Sequence, residues 1–256
     1  MLPTPDTSHV PYSRVYEPAE DSFLLLDTLS SPAESTFLTS RFATGPSPLI
    51  VELGPGSGVV LAFLTAHALP ILGTRAPLAL GIDVNRFACA ATATTVIKAV
   101  AGAGATSASF LDVVQGDLVS PLRTRAATGG EPAEGMVDVL VFNPPYVPTE
   151  ELPGPPGPAS AGVVGGKTTY EEDSHLLELS YAGGRDGMET TERVLAALPG
   201  TLARRGVAYV LLCAGNRPEE VKARVRGEGW RAETVGTSGR TAGWERLQVV
   251  RIWREG

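Results

Sequence analysis

Leu49-Ile50-Val51-Glu52-Leu53-Gly54-Pro55-Gly56-Ser57-Gly58 reads as a buried strand running into a glycine-rich turn. Such a short, nearly continuous apolar run suits a strand covered on both faces. Glycines at alternate positions after it let the backbone approach a ligand closely at the start of the next helix, roughly 59–69. A βα unit is set up, and the pattern returns. Residues 78–82 read as a second strand ending in Asp83, followed by an Ala/Thr-rich helix from about 86 to 101. A third strand, 109–115, ends in Gly116-Asp117, and a fourth, 137–142, ends in Asn143. A helix near 187–204, a strand at 206–213, a helix at 217–229 and strands at 230–235 and 245–253 complete the chain. Strands alternating with helices predict an α/β fold, and the first four each deliver a polar residue to the carboxyl end, where open α/β sheets bind ligands.

At 256 residues with 43% apolar content, the chain suits one generous domain with a real core. Residues 1–14 read as a flexible tail, 15–256 as that domain, and 147–175 as a mobile loop. Within that loop, 153–166 is rich in Pro and Gly; it and 123–135 look like insertions without a motif. Glu17-Pro18-Ala19-Glu20-Asp21-Ser22 precedes an apolar-rich helix at 23–29 and places acids at its N-terminus. There are 21 basic and 28 acidic residues; a net charge of −7 gives no broad footprint for polyphosphate and argues against nucleic acid as partner. Cys89 and Cys213 lie within a helix and a strand, without a CxxC spacing, and His9, His67 and His175 are scattered. No metal site is expected. Neither a signal peptide nor a membrane-length apolar stretch is visible, so a soluble cytoplasmic protein, nuclear as well or not, is expected.

The turn after the first strand is not a dinucleotide fingerprint. That fingerprint needs a third glycine where Val59 stands, and Glu52 sets a negative charge where a pyrophosphate would lie. A ligand with a cationic amino-acid end and no phosphate removes both objections, and S-adenosylmethionine is such a ligand. Glu52 then receives its ammonium, directly or through water, against Gly54 and Gly56. Asp83 is placed to accept both ribose hydroxyls. Asp117 can accept from the adenine amino group, with Leu118 packing on the ring edge. Each acid taken alone is more often a helix cap; four polar residues in register at the strand ends change that weighting.

The fourth strand ends in Asn143-Pro144-Pro145-Tyr146. An amide or exocyclic amine nitrogen is a poor nucleophile because its lone pair is delocalised. Acceptors on one side of the NH2 group correct this: the Asn143 side-chain carbonyl and the Pro144 backbone carbonyl can each take one N–H, aiming the lone pair at a methyl donor. Both prolines stiffen the segment and push the residues before them to extended conformations, so the acceptors are placed in advance. Tyr146 offers a flat face to a planar group. Catalysis of this kind is alignment plus charge placement. The bland reading is a proline-rich turn closing a strand; its position, two βα steps after the glycine turn, argues for the chemistry.

These residues resemble the class I methyltransferases with an NPPY signature, and within them the HemK-like N5-glutamine methyltransferases of the eukaryotic and archaeal branch. Four blocks carry the resemblance: Val15 to Asp27, Glu52 to Gly58, Asp138 to Pro148, and Tyr181-Ala182-Gly183-Gly184-Arg185-Asp186-Gly187. It implies a seven-stranded Rossmann-like sheet in the order 3-2-1-4-5-7-6 with the seventh strand antiparallel. It also implies methylation of the glutamine in the Gly-Gly-Gln motif of the class 1 translation termination factor, alone or with its GTPase partner. Ser22, where the family has Thr, is implied to lie near the methionine moiety, and Tyr181 stands where the branch has Trp. Only about 48 residues precede the first strand, too few for the N-terminal helical domain of bacterial relatives. The resemblance further implies a small zinc-binding activator that adds a strand to the sheet edge. The edge would be Ser109 to Gln115, which carries apolar residues on both faces, as an exposed edge should not.

Three rival functions remain at this point. Adenine N6-methylation of nucleic acid uses the same tetrapeptide, but no target-recognition domain or basic arm accompanies it. Lysine methylation also fits a Tyr-lined slot, although Asn143 suits an amide better. A non-catalytic cofactor-binding scaffold need not keep an aligned acceptor pair.

Overall fold

All seven expected strands form one sheet in the order β3-β2-β1-β4-β5-β7-β6. The computed structural model describes residues 2–104, 108–122, 134–154, 169–239 and 246–255. Strands β1 (Leu49–Leu53), β2 (Leu78–Asp83), β3 (Ser109–Gln115), β4 (Val137–Phe142) and β5 (Leu202–Cys213) pair in parallel. β7 (Leu247–Trp253) runs antiparallel to both β5 and β6 (Arg231–Thr237). The apolar runs seen in the sequence are explained by the two faces. Ile50, Val139, Val141, Tyr209 and Leu211 point to one core, whereas Val51, Leu140, Phe142, Val210 and Leu212 point to the other.

Helices α1 (Glu20–Leu29), α2 (Pro32–Phe42), α3 (Val59–Ala66), α4 (Ala68–Leu72) and α5 (Arg86–Gly102) contribute to the first core. The second is covered by α7 (Glu189–Thr201) and α8 (Pro218–Gly227). The single helix expected over 59–69 is two, divided at His67, and the helix expected to reach 204 stops at Thr201, its last residues being the start of β5. α2 was not expected. Ser31 caps it, accepting from the Glu34 N–H at 3.3 Å, with Pro32 in its first turn. Its buried Glu34 receives the Tyr209 hydroxyl at 2.7 Å and the Arg251 guanidinium at 2.7 Å, tying the helix to β5 and β7. Asp138, an acid inside a fully buried strand, is likewise structural: it accepts from Arg205 at 2.7 Å and from the Leu49 N–H at 2.9 Å.

Two sequence expectations need correction. Residues 2–14, read as a loose tail, fold back over α5. Val10 and Val15 are buried with Phe87, Ala88 and Ala91, and Asn85 donates to the Arg14 carbonyl at 2.7 Å. The mobile loop read over 147–175 is structured at both described ends. Val147 bridges to Ala182, and 170–175 is the first half of α6 (Tyr170–Tyr181), which opens with a reciprocal capping box between Thr169 and Glu172. Its middle, 155–168, which holds most of the 153–166 insertion, lies outside the described residues, as do 123–133 of the other insertion.

Candidate active site

At the carboxyl ends of β1, β2 and β4 lies a cavity of about 240 Å³, somewhat below the range for small-molecule sites, about 300–1,000 Å³. Glu52, Gly54, Gly56, Asp83, Asp117 and Asn143 line it, together with Ser22, Leu118 and Pro145. Pro144, which is buried, and Tyr146, half-buried against the first core, are not among the lining residues. Among the described residues, no histidine lines it either. α1 brings Asp21, the N-terminal segment brings Val15 and Tyr16, and α7 brings Arg193, none of which the sequence had assigned to the site.

Backbone geometry dictates the turn. Gly54 and Gly56 have φ of +60° and +56°, and a Cβ on either would meet nothing within 4 Å. Glycine is favoured by conformation there, and the missing side chains keep the cavity side open. The Gly56 N–H donates to Asp83 Oδ2 at 3.1 Å, and the Asn85 N–H donates to Asp83 Oδ1 at 2.8 Å.

Two carboxyl groups are thus buried side by side. Burial pushes Glu52 up to about 8, opposed by the Leu61 N–H and reinforced by the neighbouring Asp83. Burial likewise raises Asp83 to about 6, against the N–H groups of Asn85 and Gly56. Glu52 Oε2 has no hydrogen-bond partner among the described residues. The raised values mean that the folded chain holds protons the unfolded chain releases, so their stabilising contribution is full at low pH. It is lost as pH rises from about 4.5 to about 8 for Glu52, and from about 3.8 to about 6 for Asp83. The ligand-free chain is therefore expected to melt at progressively lower temperature from about pH 5 to about pH 8. Glu52→Gln should flatten the upper part of that profile; an unchanged slope in calorimetry would show that Glu52 is not the group responsible.

Asp117 is half-exposed and paired with Arg193. Burial pushes the Cys89 thiol up to about 12, with Asp83 next in effect, so it is no nucleophile at neutral pH.

Asn143 directly follows β4, with its amide fixed from one side. Its Nδ2 donates to Asp21 Oδ2 at 2.9 Å, while its Oδ1 is buried without a partner among the described residues. The loop that follows is held from behind by Asn216, whose Nδ2 donates to the carbonyls of Asp186 at 3.0 Å and of Tyr146 and Gly187 at 3.3 Å. Its Oδ1 accepts from the Cys213 N–H at 2.8 Å. Gly187 packs so closely that a Cβ there would lie 2.0 Å from the Tyr146 carbonyl oxygen. The Tyr181–Gly187 segment is thus the support of the Asn-Pro-Pro-Tyr turn. Leu118, Asp186 and Arg217 are the described non-glycine residues with positive φ, and Leu118 lines the cavity while Asp186 lies within that support.

No family model matches the chain. Methyltransferase HEMK2 of Mus musculus is 34% identical over 254 residues, 98% of this chain and 96% of its own. The eRF1 methyltransferase catalytic subunit mtq2 of Schizosaccharomyces pombe is 31% identical over 261 residues, 100% of this chain and 97% of its own. Among solved structures, the E. cuniculi Mtq2–Trm112 complex responsible for methylation of the eRF1 translation termination factor matches with a TM-score of 0.52 and 22% identity. That match covers 94% of this chain and 99% of the other, and shows the shared fold.

Proposed function

The chain belongs to the HemK-like class I methyltransferases, in their eukaryotic and archaeal branch, and from that premise we propose that it methylates the side-chain amide nitrogen of the glutamine in the Gly-Gly-Gln motif of the class 1 translation termination factor. One observation carries the reading: the buried, unpartnered Oδ1 of Asn143, on an amide that lines the cavity with its NH2 already committed to Asp21. An unmet buried acceptor costs about 1–3 kcal/mol, and an incoming amide N–H would satisfy it. The reading is also supported by Mus musculus HEMK2 and S. pombe mtq2, the latter an eRF1 methyltransferase by name.

S-adenosylmethionine, when bound, supplies an electrophilic methyl group on a sulfonium. The chain's residues fit it. The unpartnered Glu52 Oε2 suits the ammonium of the methionine end, and Ser22 lines the same cavity. Asp83 presents a carboxylate to two ribose hydroxyls, and the glycine turn leaves room for the chain between them. Asp117 takes the adenine amino group by exchanging its contact with Arg193, and Leu118 packs on the ring. The Asn143 carbonyl accepts one N–H bond of the substrate amide, and the Pro144 carbonyl, which the cavity does not reach, is proposed to take the other once the substrate is seated. Together they turn the lone pair outward, and after transfer the nitrogen sheds a proton to water. Pro145 stiffens the segment, and Tyr146 serves through its position behind it.

A small zinc-binding activator is proposed to cover β3. This strand is the sheet edge, and it leaves Leu111 51% and Val114 36% exposed, an arrangement that invites strand addition. Leu111→Lys should leave the fold intact, since the side chain is half in solvent, yet lower recovery of the co-expressed activator about tenfold. A soluble monomer, expressed alone and binding S-adenosylmethionine with undiminished affinity, would contradict this.

The function is tested by a labelled-methyl assay with chain and activator, offering the termination factor, duplex DNA and a histone tail in competition. Label in the termination factor alone is expected. Label in DNA, or in the lysines of the tail, would select the corresponding rival.

A further inference from the structure

We propose that Asp21 is a positioning residue that sets the Asn143 side chain the right way round for an amide acceptor. The inference rests on the amide-methylation reading above and deepens it. The oxygen and NH2 ends of an asparagine are nearly equal in size, and only hydrogen-bond partners decide which end faces where. At position 143 the deciding partner comes from 122 residues away in the chain: Asp21 Oδ2 lies 2.9 Å from Asn143 Nδ2.

An ionised carboxylate has no proton and can only accept. It therefore selects the amide orientation that turns NH2 toward α1 and leaves Oδ1 for a ligand. The reversed orientation sets oxygen against oxygen at Asp21 and presents an N–H donor to an incoming N–H donor. Asp21 is itself held firmly. It is 3% exposed, its Oδ1 accepts from the Ser22 N–H at 2.6 Å and from Ser22 Oγ at 3.3 Å, and it lies in the first turn of α1, where the helix dipole favours negative charge. Ser22 also lines the cavity, so one carboxylate joins the proposed cofactor contact to the proposed substrate acceptor.

Asp21→Asn keeps the shape and supplies a donor, so the Asn143 amide is free to reverse. With chain, activator and a Gly-Gly-Gln peptide, Asp21→Asn should lower kcat by about tenfold or more, with peptide KM and S-adenosylmethionine affinity within about threefold of the parent. The reciprocal variant, Asp21→Asn with Asn143→Asp, returns an acceptor to position 143 and a donor beside it. It should recover about threefold or more of the lost kcat. A folded Asp21→Asn enzyme with kcat within about twofold of the parent would overturn the proposal. Should that variant not fold, the reciprocal one decides: measurable turnover supports the proposal, and a folded protein without turnover overturns it. Failure of the parent enzyme itself on the peptide would instead strike the amide-methylation reading, so the two failures are told apart by the control.

Discussion

Asn143→Ala is expected to lower kcat by about a hundredfold or more, the scale seen when one preorganised polar group is removed from a transition-state site. The substitution deletes the carbonyl that the structure leaves unmet and buried at the cavity. A fall of this kind belongs to kcat, because the lone pair needs turning only as the methyl group is transferred; the proposed contacts at Glu52, Asp83 and Asp117 are untouched, so S-adenosylmethionine affinity should stay within about threefold. Asp21 would meanwhile lose its partner, with a stability cost of about 1–3 kcal/mol that thermal denaturation should register. A decrease of less than about tenfold, about 1.4 kcal/mol of barrier, would mean that Asn143 is not the aligning acceptor.

Asp83→Ala carries the other large effect, and on a different quantity. Two hydroxyls donating to one carboxylate are each worth about 1.5–3 kcal/mol, so cofactor affinity should fall about a hundredfold or more by calorimetric titration. The same change orphans the N–H groups of Gly56 and Asn85 that now rest on that carboxylate, and the turn itself should loosen. Asp83→Asn separates the two consequences: its single carbonyl can still hold one N–H, while the charge and the paired acceptor are lost. Affinity unchanged within about threefold in both variants would remove Asp83 from the ribose site.

The central strands and their terminal polar residues were legible because each lesson is local. An apolar run followed by Gly, Asp or Asn announces both the strand and its ligand-facing end, and Glu52, Asp83, Asp117 and Asn143 do meet around one cavity. α2 and α6 are hard to read from the sequence although both carry a start signal, Ser31-Pro32-Ala33-Glu34 and Thr169-Tyr170-Glu171-Glu172. Their apolar residues are too few to set up a clear helical stripe, and α2 is stabilised instead by a buried Glu34 shared with Tyr209 and Arg251, partners more than 170 positions away. The burial of Val10 and Val15 is not legible for a related reason: two isolated valines have no periodicity, and their partners on α5 and α6 come together only in the fold. Asp21 could be read as a favourable acid in a helix first turn, which it is. Its hold on Asn143 bridges 122 positions of sequence and leaves no mark in local spacing. Arg193 and Asn216 are similar cases, one reaching Asp117 and the other three carbonyls behind the Asn-Pro-Pro-Tyr turn.

The central claim is that this chain aligns a glutamine amide. Its most direct test is a single-turnover reaction of chain and activator with the intact termination factor, followed by fragmentation mass spectrometry to locate the added methyl group. The predicted result is one methyl group on the side-chain nitrogen of the Gly-Gly-Gln glutamine, absent with Asn143→Ala. A methyl group on a lysine of the factor, or a factor left unmodified while the same preparation methylates adenine in nucleic acid, would contradict it.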